Sequence, residues 1–469
     1  MVISTGKESG QVKKAVVLAA GEGKRLAPLT LTRPKHLIPV AGVPLLQHTL
    51  KALAGAGVEE VLLVVGYKKE LIRARFGNEL PGGPRLRYVV QEEYGGTAQA
   101  AGLGRQFTGD DPFLLVYGDL LVDPSIFVDL VDAAMAGPGG GAEGTTAGAP
   151  DAVLSLRMVE DPTKFGIIAL DEGGRVRKVV EKPTPEQVED VGNLVNAGIY
   201  YFTPPVYDAI DRTQRSPRGE YELTDSIQLL VDEGRVVVGF DVGERFWSDV
   251  GHPWQLLEAN AHFLEHFMEP GLHGTVEAGA TLKGKVYLAS GAKILAGTYV
   301  EGPVYVGPDC VVGPNAYLRP YTSLCAGCKV GNSSEVKASV LLPGAHVPHL
   351  SYVGDSVLGE GVNLGAGTVT ANLRLDKGEV RATVKGARVG TGRRKLGAIL
   401  GDGVQVGINA CLMPGVTIGP GAKVGANTVV RRDVPAGALV YVDQSLVVVE
   451  KGDQRGPKAR EAPIARKEG

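Results

Sequence analysis

The chain has 469 residues, enough for two large domains or about three of ordinary size, each with a core of its own. Its 44% hydrophobic and 22% charged residues are those of a globular protein, and no apolar run approaches the ~20 residues that cross a bilayer. With 49 Lys and Arg against 52 Asp and Glu the formal charge is -3, which excludes the basic footprint of a general nucleic-acid binder, so any phosphate site must be local. Four cysteines do not make a disulfide framework, and the opening MVISTGKESGQVKK lacks the apolar stretch of a secretory signal, so a cytoplasmic location is expected. Glycine departs from ordinary usage: 66 residues, beside 29 prolines, require a turn-rich region somewhere in the chain.

Residues 1–13 read as an N-terminal extension. From Lys14 the text alternates short apolar runs with helical stretches: AVVLAA, a helix near Pro44 to Ala54, then VEEVLLVVGY. This is the grammar of βαβ units, in which buried parallel strands appear as continuous Val, Leu and Ile. FLLVYGD is a further strand that ends on the carboxylate of Asp119, and ligands sit at such strand ends. The stretch GPGGGAEGTTAGA lacks the Lys-Ser/Thr ending of a nucleotide-binding P-loop and is expected to be a mobile insertion. An α/β Rossmann-like domain over 14–255 and a helical linker over 256–269 are therefore expected.

Past about Met268 the period becomes six. Aliphatic residues stand at Val276, Leu282, Leu288, Ile294, Val300, Val306, Val312, Leu318, Leu324, Val330 and Val336, and the period returns at Leu400, Val406, Leu412, Ile418, Val424 and Val430. Hexapeptide periodicity is the mark of a parallel β-helix, in which one aliphatic per side points inward and each coil takes about eighteen residues. The expected span is 270–449, followed by a charged, loosely held tail over 450–469.

Candidate chemistry begins in LAAGEGKRLAPLT, where a strand runs into Gly21, Glu22, Gly23, Lys24 and Arg25, a turn whose backbone amides can approach an anion. RPKHLIPV adds Lys35, and Asp119 adds a carboxylate suited to Mg²⁺. Together these residues resemble the sugar-1-phosphate nucleotidyltransferases, whose opening pattern is matched almost throughout, with Lys24 in place of the usual Thr or Ser. The resemblance implies that Gln91 and GGTAQA, with Gly96, Thr97 and Gln99, read the nucleotide base. It implies Asp119 and Asp249 as magnesium ligands, and Gly166, Glu181, Lys182 and Asn196 as sugar and sugar-phosphate contacts. Arg25 is assigned to the departing pyrophosphate, Lys35 to the α-phosphate region and Lys182 to the sugar phosphate. Glu22, Lys24 and Lys51 are expected to be solvated, and His36 and His48 to pack or cap.

The irregular interval of the β-helix concentrates polar residues: Arg319, Glu335, Lys337, His349, Tyr352 and Asn363. It resembles the acetyltransferase half of the bifunctional glucosamine-1-phosphate acetyltransferase/N-acetylglucosamine-1-phosphate uridyltransferase family, in an archaeal-type form. The resemblance implies a left-handed β-helix, with acetyl-CoA as cosubstrate and UTP or dTTP and a sugar 1-phosphate as the other substrates. His349 would be the base that deprotonates an amine, with Glu335 orienting it and Asn363 positioning the amine. Arg319, Lys337 and Tyr352 would bind the sugar phosphate. The small residues around Ala366 and Ala426 would lie along the pantetheine arm, in a groove between subunits of a homotrimer. After Asn372 comes a long basic segment in which Lys377, Arg393, Arg394 and Lys395 either bind CoA phosphates or form a solvated loop. Cys325 and Cys328 make only half of a zinc site and read as filler of the coils. Two alternatives stand: a monofunctional thymidylyl- or uridylyltransferase with a structural, trimerising β-helix, and a non-catalytic assembly subunit of the same layout.

Overall fold

The computed structural model describes residues 12–136 and 149–446; the glycine-rich stretch after Ala136, most of the N-terminal extension and the charged tail lie outside the described residues. The strand Lys14–Ala19 is central to a sheet in the order Val176–Glu181, Gly166–Leu170, Leu194–Phe202, Phe113–Tyr117, Lys14–Ala19, Glu60–Val65, Arg85–Val90. The strands Phe113–Tyr117, Lys14–Ala19, Glu60–Val65 and Arg85–Val90 run parallel, and Leu194–Phe202 pairs antiparallel with Phe113–Tyr117. Both faces of the parallel core are covered: Leu46, Leu50 and Leu53 of the helix Leu45–Gly55 pack on one, and Val206, Leu223 and Ile227 on the other. Burial on both faces is why these strands read as unbroken aliphatic runs. A short antiparallel ribbon, Leu121–Val122 with Trp247–Ser248, then draws two distant parts of the chain together, because Ser248 opposes Leu121.

The second half is a left-handed parallel β-helix whose three faces carry eight, nine and eight strands among the described residues. Its core columns are those of the hexapeptide reading: Leu288, Val306 and Leu324 stack on one face, Ile294, Val312 and Val330 on the next, Val300, Leu318 and Val336 on the third. All nine are fully buried. The loss of period has a simple cause. Leu324 stacks on Leu341 and Leu341 on Leu358, so two successive coils are each one residue short. Leu358 then stacks on Leu400, and the surplus residues leave the coil after Asn372 and return at Leu396, whose amide donates to the Asn372 carbonyl at 3.0 Å. The excursion folds as a hairpin, Arg381–Val384 against Ala387–Gly390, closed by Lys385 and Gly386 at φ 48° and 82°, the two positive angles that a tight two-residue turn requires.

The two halves share a core. Trp254, Leu256, Leu257 and Phe263 of the helix Pro253–His266 pack in one cluster with Leu26, Ile38 and Val40 from the first half and Val340, Leu342, Val357 and Leu396 from the second. Asn260, fully buried, ties three segments: its Oδ1 accepts from the Ala41 amide (3.0 Å) and the Ser323 hydroxyl (2.7 Å), and its Nδ2 donates to the Tyr321 carbonyl (3.0 Å). Gly42, at φ 77°, leaves room for Tyr305, whose ring carbon lies 2.1 Å from where a Cβ would stand. Arg33 forms ion pairs with Asp402 and Glu360 across the same boundary.

Candidate active sites

Fourteen of the expected residues belong to the first half, and the fold brings all but Gly23 and Gln99 to the walls of two adjoining cavities. The larger, about 790 Å³, is lined by Arg25, Thr97, Asp119, Gly166, Glu181, Lys182, Asn196 and Asp249. The smaller, about 300 Å³, is lined by Gly21, Lys35, Gln91, Gly96, Thr97 and Asp119. Thr97 and Asp119 face both. Gly23 lines neither; at φ 67° it makes the left-handed turn into a short helical turn, and its carbonyl accepts from Leu26 and Thr30.

Each position has a local cause. Asp119 follows the end of the strand Phe113–Tyr117, and the ribbon that pairs Ser248 with Leu121 brings Asp249 to the same cavity. Asp119 is in contact with the Lys35 ammonium. Burial alone pushes this carboxyl up, but the Lys35 charge and hydrogen bond outweigh it and hold Asp119 below the usual carboxylate range. Asp249 accepts from Gln255 Nε2 at 3.0 Å and meets Arg25 Nη2 at 3.5 Å. The Arg25 guanidinium lies over Gly251, where a Cβ would come within 2.9 Å of its Cζ.

The GGTAQA segment is held by its own amides. Gln91 Nε2 donates to the Gly96 carbonyl and to Gln99 Oε1 (3.3 and 3.0 Å), and Gln99 Oε1 also accepts from the Gly95 amide. Gly96 stands at φ 114° with the Tyr221 carbonyl 2.4 Å from a Cβ position, so only glycine fits. On the far side Glu181 opposes Gly166 across an antiparallel pair and accepts from Thr224 at 3.2 Å. Burial and the neighbouring Glu222 raise its pKa. Asn196 donates to the Tyr200 hydroxyl, which reaches Tyr117 at 3.1 Å, and burial raises both phenols. Lys182 is exposed at the cavity wall, with φ 46°.

Two carboxylates converging on one cavity, beside lysine and arginine, are the donor set of an ion that shares its coordination with substrate phosphates; Mg²⁺ is held in this way, and Asp119 and Asp249 fit it. No cluster of three or more metal-ligating side chains occurs among the described residues. Glu22 and Lys24 pair with each other at the surface and Lys51 is exposed. His36 is buried and His48 half-buried, with pKa values pushed down to about 3 and about 4, chiefly by desolvation.

In the second half, His349 occupies a corner between two faces. The corner stacks through the Gly367 amide on the His349 carbonyl (3.2 Å) and the Asn409 amide on the Ala366 carbonyl (2.8 Å), and the Asn427 amide continues it on Ile408 (2.8 Å). Ala366 and Ala426 thus share the column of His349. The glycines beside them have a steric cause: a Cβ on Gly365 would meet Gly407 at 2.6 Å, and one on Gly407 would meet Ala426 at 2.5 Å. Asn363 projects from the face before the corner, paired in register with His346. Arg319, Glu335, Lys337 and Tyr352 lie on the face after it.

The pairing expected between Glu335 and His349 is replaced by another: Glu335 Oε1 accepts from Arg319 Nη1 at 2.8 Å, and His349 stands exposed. Lys337 pairs with Asp355 at 3.3 Å, and Asn372 donates to both Asp355 and the Tyr352 hydroxyl. Asp355, buried under these groups, carried no sequence signal beyond an ordinary corner aspartate. Arg393 is half-buried rather than solvated. It meets Glu258 at 3.1 Å and Asp355 at 3.6 Å, joining the excursion to both halves, while Lys377, Arg394 and Lys395 are exposed. Cys325 and Cys328 are buried in the coils, as filler requires. Sequence reading also missed Arg218 and Glu222, an ion pair at the cavity wall, and the hairpin residues Val384, Val389, Gly390 and Thr391, which line that same cavity.

Comparison with known proteins agrees with this division. Residues 14–266 match the nucleotidyl transferase family, 300–413 the GMPPB C-terminal domain, and 397–432 the bacterial transferase hexapeptide (six repeats) family. The chain is 39% identical to the bifunctional protein GlmU of Methanocaldococcus jannaschii, over 92% of this chain and 98% of that one. It is also 39% identical to the bifunctional sugar-1-phosphate nucleotidylyltransferase/acetyltransferase of Sulfurisphaera tokodaii, over 92% and 100%. A solved structure of UDP-glucose pyrophosphorylase complexed with UDP-glucose aligns with a TM-score of 0.47 at 23% identity, covering 54% of this chain and 99% of that one.

Proposed function

Because the chain belongs to the family of bifunctional sugar-1-phosphate nucleotidylyltransferases/acetyltransferases, we propose that it transfers a nucleotidyl group from UTP or dTTP to glucose 1-phosphate or N-acetylglucosamine 1-phosphate and N-acetylates glucosamine 1-phosphate with acetyl-CoA. The two activities divide between a domain over 14–255 and a β-helix over 270–449, joined by the linker 256–269, in a cytoplasmic homotrimer.

In the first reaction an oxygen of the sugar phosphate attacks the α-phosphorus, the bond to the β-phosphate breaks, and pyrophosphate leaves. No proton has to be abstracted; two anions have to be brought in line. Gln91, Gly96 and Thr97 hold the base in the smaller cavity, with Gly21 and Gly23 shaping the turn beside the phosphates. Lys35 and Arg25 meet the triphosphate, and Lys182, with Gly166, Glu181 and Asn196, seats the sugar phosphate. Mg²⁺ held by Asp119 and Asp249 supplies further charge neutralisation. The observation that carries this reading is that Asp119 and Asp249, remote in sequence, line one cavity with Arg25 and Lys182.

In the second reaction the amine attacks the thioester carbonyl, its proton goes to His349, and the CoA thiolate departs. Asn363 positions the amine, Arg319, Lys337 and Tyr352 hold the phosphate, and the column of Ala366 and Ala426 lies against the pantetheine arm. Glu335 reaches His349 only by leaving Arg319, which binding of a phosphate to that arginine would permit.

The test measures pyrophosphate release from each nucleotide and thiol release from acetyl-CoA with amino-sugar phosphates, for wild type, Asp119→Ala and His349→Ala. Wild type releases both; Asp119→Ala loses pyrophosphate release alone and His349→Ala thiol release alone. A wild type that never releases thiol leaves the β-helix structural, and one that releases neither leaves an assembly subunit.

A further inference from the structure

The excursion between Asn372 and Leu396 has an odd destination. It starts and ends in the β-helix, yet its hairpin packs against the first half. Alternation decides which face goes where. Ala382, Val384, Ala387 and Val389 share one face; Ala382 is buried in the interdomain cluster with Trp254 and Leu257, and Val384 and Val389 pack against it. Arg381 and Arg388 take the opposite face, bond each other's carbonyls, and abut the next coil. There Arg388 Nη1 donates to the Gly415 carbonyl at 3.3 Å, and a Cβ on Gly415 would stand 2.4 Å from the Arg381 carbonyl. The hairpin is thus clamped between a β-helix coil and the nucleotidyltransferase fold. Its roots are fixed too, by Arg393 on Glu258 and Asp355 and by Thr391 Oγ1 on the Val380 carbonyl (2.6 Å).

A clamped hairpin could be mere packing, but its last apolar residues reach open space. Val384, Val389, Gly390 and Thr391 line the larger cavity, on whose wall Gly166, Glu181, Lys182 and Asn196 also lie, and none of the four lines the smaller cavity that holds Gln91 and Gly96. We propose that this hairpin is a sugar-facing wall of the nucleotidyl-transfer site, contributed by the β-helix, and that Val384 and Val389 select among sugar 1-phosphates by apolar contact with the sugar or its acyl substituent. The proposal rests on the assignment of the larger cavity to the sugar phosphate.

The sided placement gives a signature that packing alone would not give. Enlarging Val389 intrudes on the sugar end and leaves the base end untouched. The experiment follows pyrophosphate release by the full chain, wild type, Val389→Phe and Val389→Thr, varying N-acetylglucosamine 1-phosphate, glucose 1-phosphate and the nucleotide in turn. Val389→Phe is expected to raise KM for N-acetylglucosamine 1-phosphate about tenfold or more, with KM for the nucleotide changed less than about twofold. Val389→Thr, which keeps the volume and adds a hydroxyl, is expected to shift the preference between the two sugar phosphates by about threefold. Thiol release from acetyl-CoA stays at the wild-type rate in both variants. If pyrophosphate release is normal in wild type and both variants keep the wild-type KM and preference for sugar, the wall proposal fails and the cavity assignment stands. A uniform fall in kcat with both KM values unchanged is loss of folded enzyme and also overturns it. If wild type accepts no sugar 1-phosphate at all, the assignment itself fails.

Discussion

The cleft and the corner are built by opposite means. In the cleft, residues far apart in the chain converge because strands end together: Asp119 follows Phe113–Tyr117, and Asp249 arrives by the ribbon that pairs Ser248 with Leu121. At the corner, residues a coil apart converge because the chain repeats, so that His349 and Ala366 are successive members of one stack. The consequence is chemical. Cleft carboxylates are already matched within one chain, Asp119 by Lys35 and Asp249 by Arg25, on the wall of one cavity. The corner displays His349 on an exposed ridge, with its expected partner Glu335 committed to Arg319. A cleft can be complete in one chain, whereas a ridge needs a second surface to become a pocket, which is the physical argument for a neighbouring subunit at the second site.

The largest expected effect separates the two regions. Lys35→Met keeps the stem of the side chain and removes its charge, so pyrophosphate release falls about a hundredfold or more, while thiol release is unchanged. The same variant moves the pH profile. With Lys35 gone, burial of Asp119 loses its strongest opposition and its pKa rises; the acidic limb of residual pyrophosphate release therefore shifts to higher pH. Rate measurements across the acidic range check both. An unshifted limb would mean that Asp119 does not report the metal-side charge.

Glycines give the next contrast. A Cβ on Gly331 would lie 1.9 Å from the Pro348 carbonyl, in the coil directly before His349, whereas a Cβ on Gly21 would meet nothing within 4 Å. Gly331→Ala should destabilise the β-helix by about 2–3 kcal/mol, seen in chemical denaturation, and impair thiol release first. Gly21→Ala should leave stability within about 0.5 kcal/mol of wild type and raise KM for the nucleotide. The first glycine serves the fold and the second leaves space for a ligand, and equal stability losses would erase that distinction.

These contrasts also mark what the sequence made legible. The hexapeptide columns were readable because every coil repeats one physical demand, an aliphatic pointing inward, and LAAGEGKRLAPLT and RPKHLIPV were readable as dense local motifs. Coil shortening at Leu341 and Leu358 blurred the period without changing the architecture. What escaped was relational. Arg393 reads as one basic residue in a basic segment until Glu258 and Asp355 are placed around it, and Val384 and Val389 carry no signal in that segment until the opposite half supplies a cavity. Glu335 was legible as a polar residue of the right face, but its choice of Arg319 over His349 depends on which side chains stack in adjacent coils.

Asn260 tests whether the two regions unfold separately. Its replacement by alanine leaves the Ala41 amide, the Ser323 hydroxyl and the Tyr321 carbonyl without their shared partner in a buried seam. The loss is expected at about 3 kcal/mol, from donors and acceptors that water cannot reach. Calorimetry of wild type should show the halves melting together, because the seam is continuous with both cores, and Asn260→Ala should split the transition. A single shifted peak would mean that Trp254, Leu257 and Phe263 suffice to hold the halves.

A pH dependence again sets one half against the other. His48 is packed edge-on against Phe263 with ring centroids 4.7 Å apart, and its Nε2 meets the Val40 carbonyl at 3.0 Å. Burial first, and Lys51 beside it, push its pKa from 6.5 down to about 4, although the Val40 carbonyl resists the shift. The unfolded chain therefore binds the proton at a pH where the folded chain does not. The stability this implies is fully present above pH 6.5 and is lost as pH falls toward the folded value of about 4. Between about pH 6.5 and about pH 5 the loss from this one side chain is about 2 kcal/mol. His36, in the same half, is pushed down to about 3 by the same cause, so the first half should be the one that weakens as the solution is acidified. His48→Gln keeps a donor for the Val40 carbonyl and cannot titrate, so denaturation curves of this variant should lose that share of the acid dependence. If the slope persists undiminished, the acid sensitivity belongs to other groups and the first half has no special claim to it.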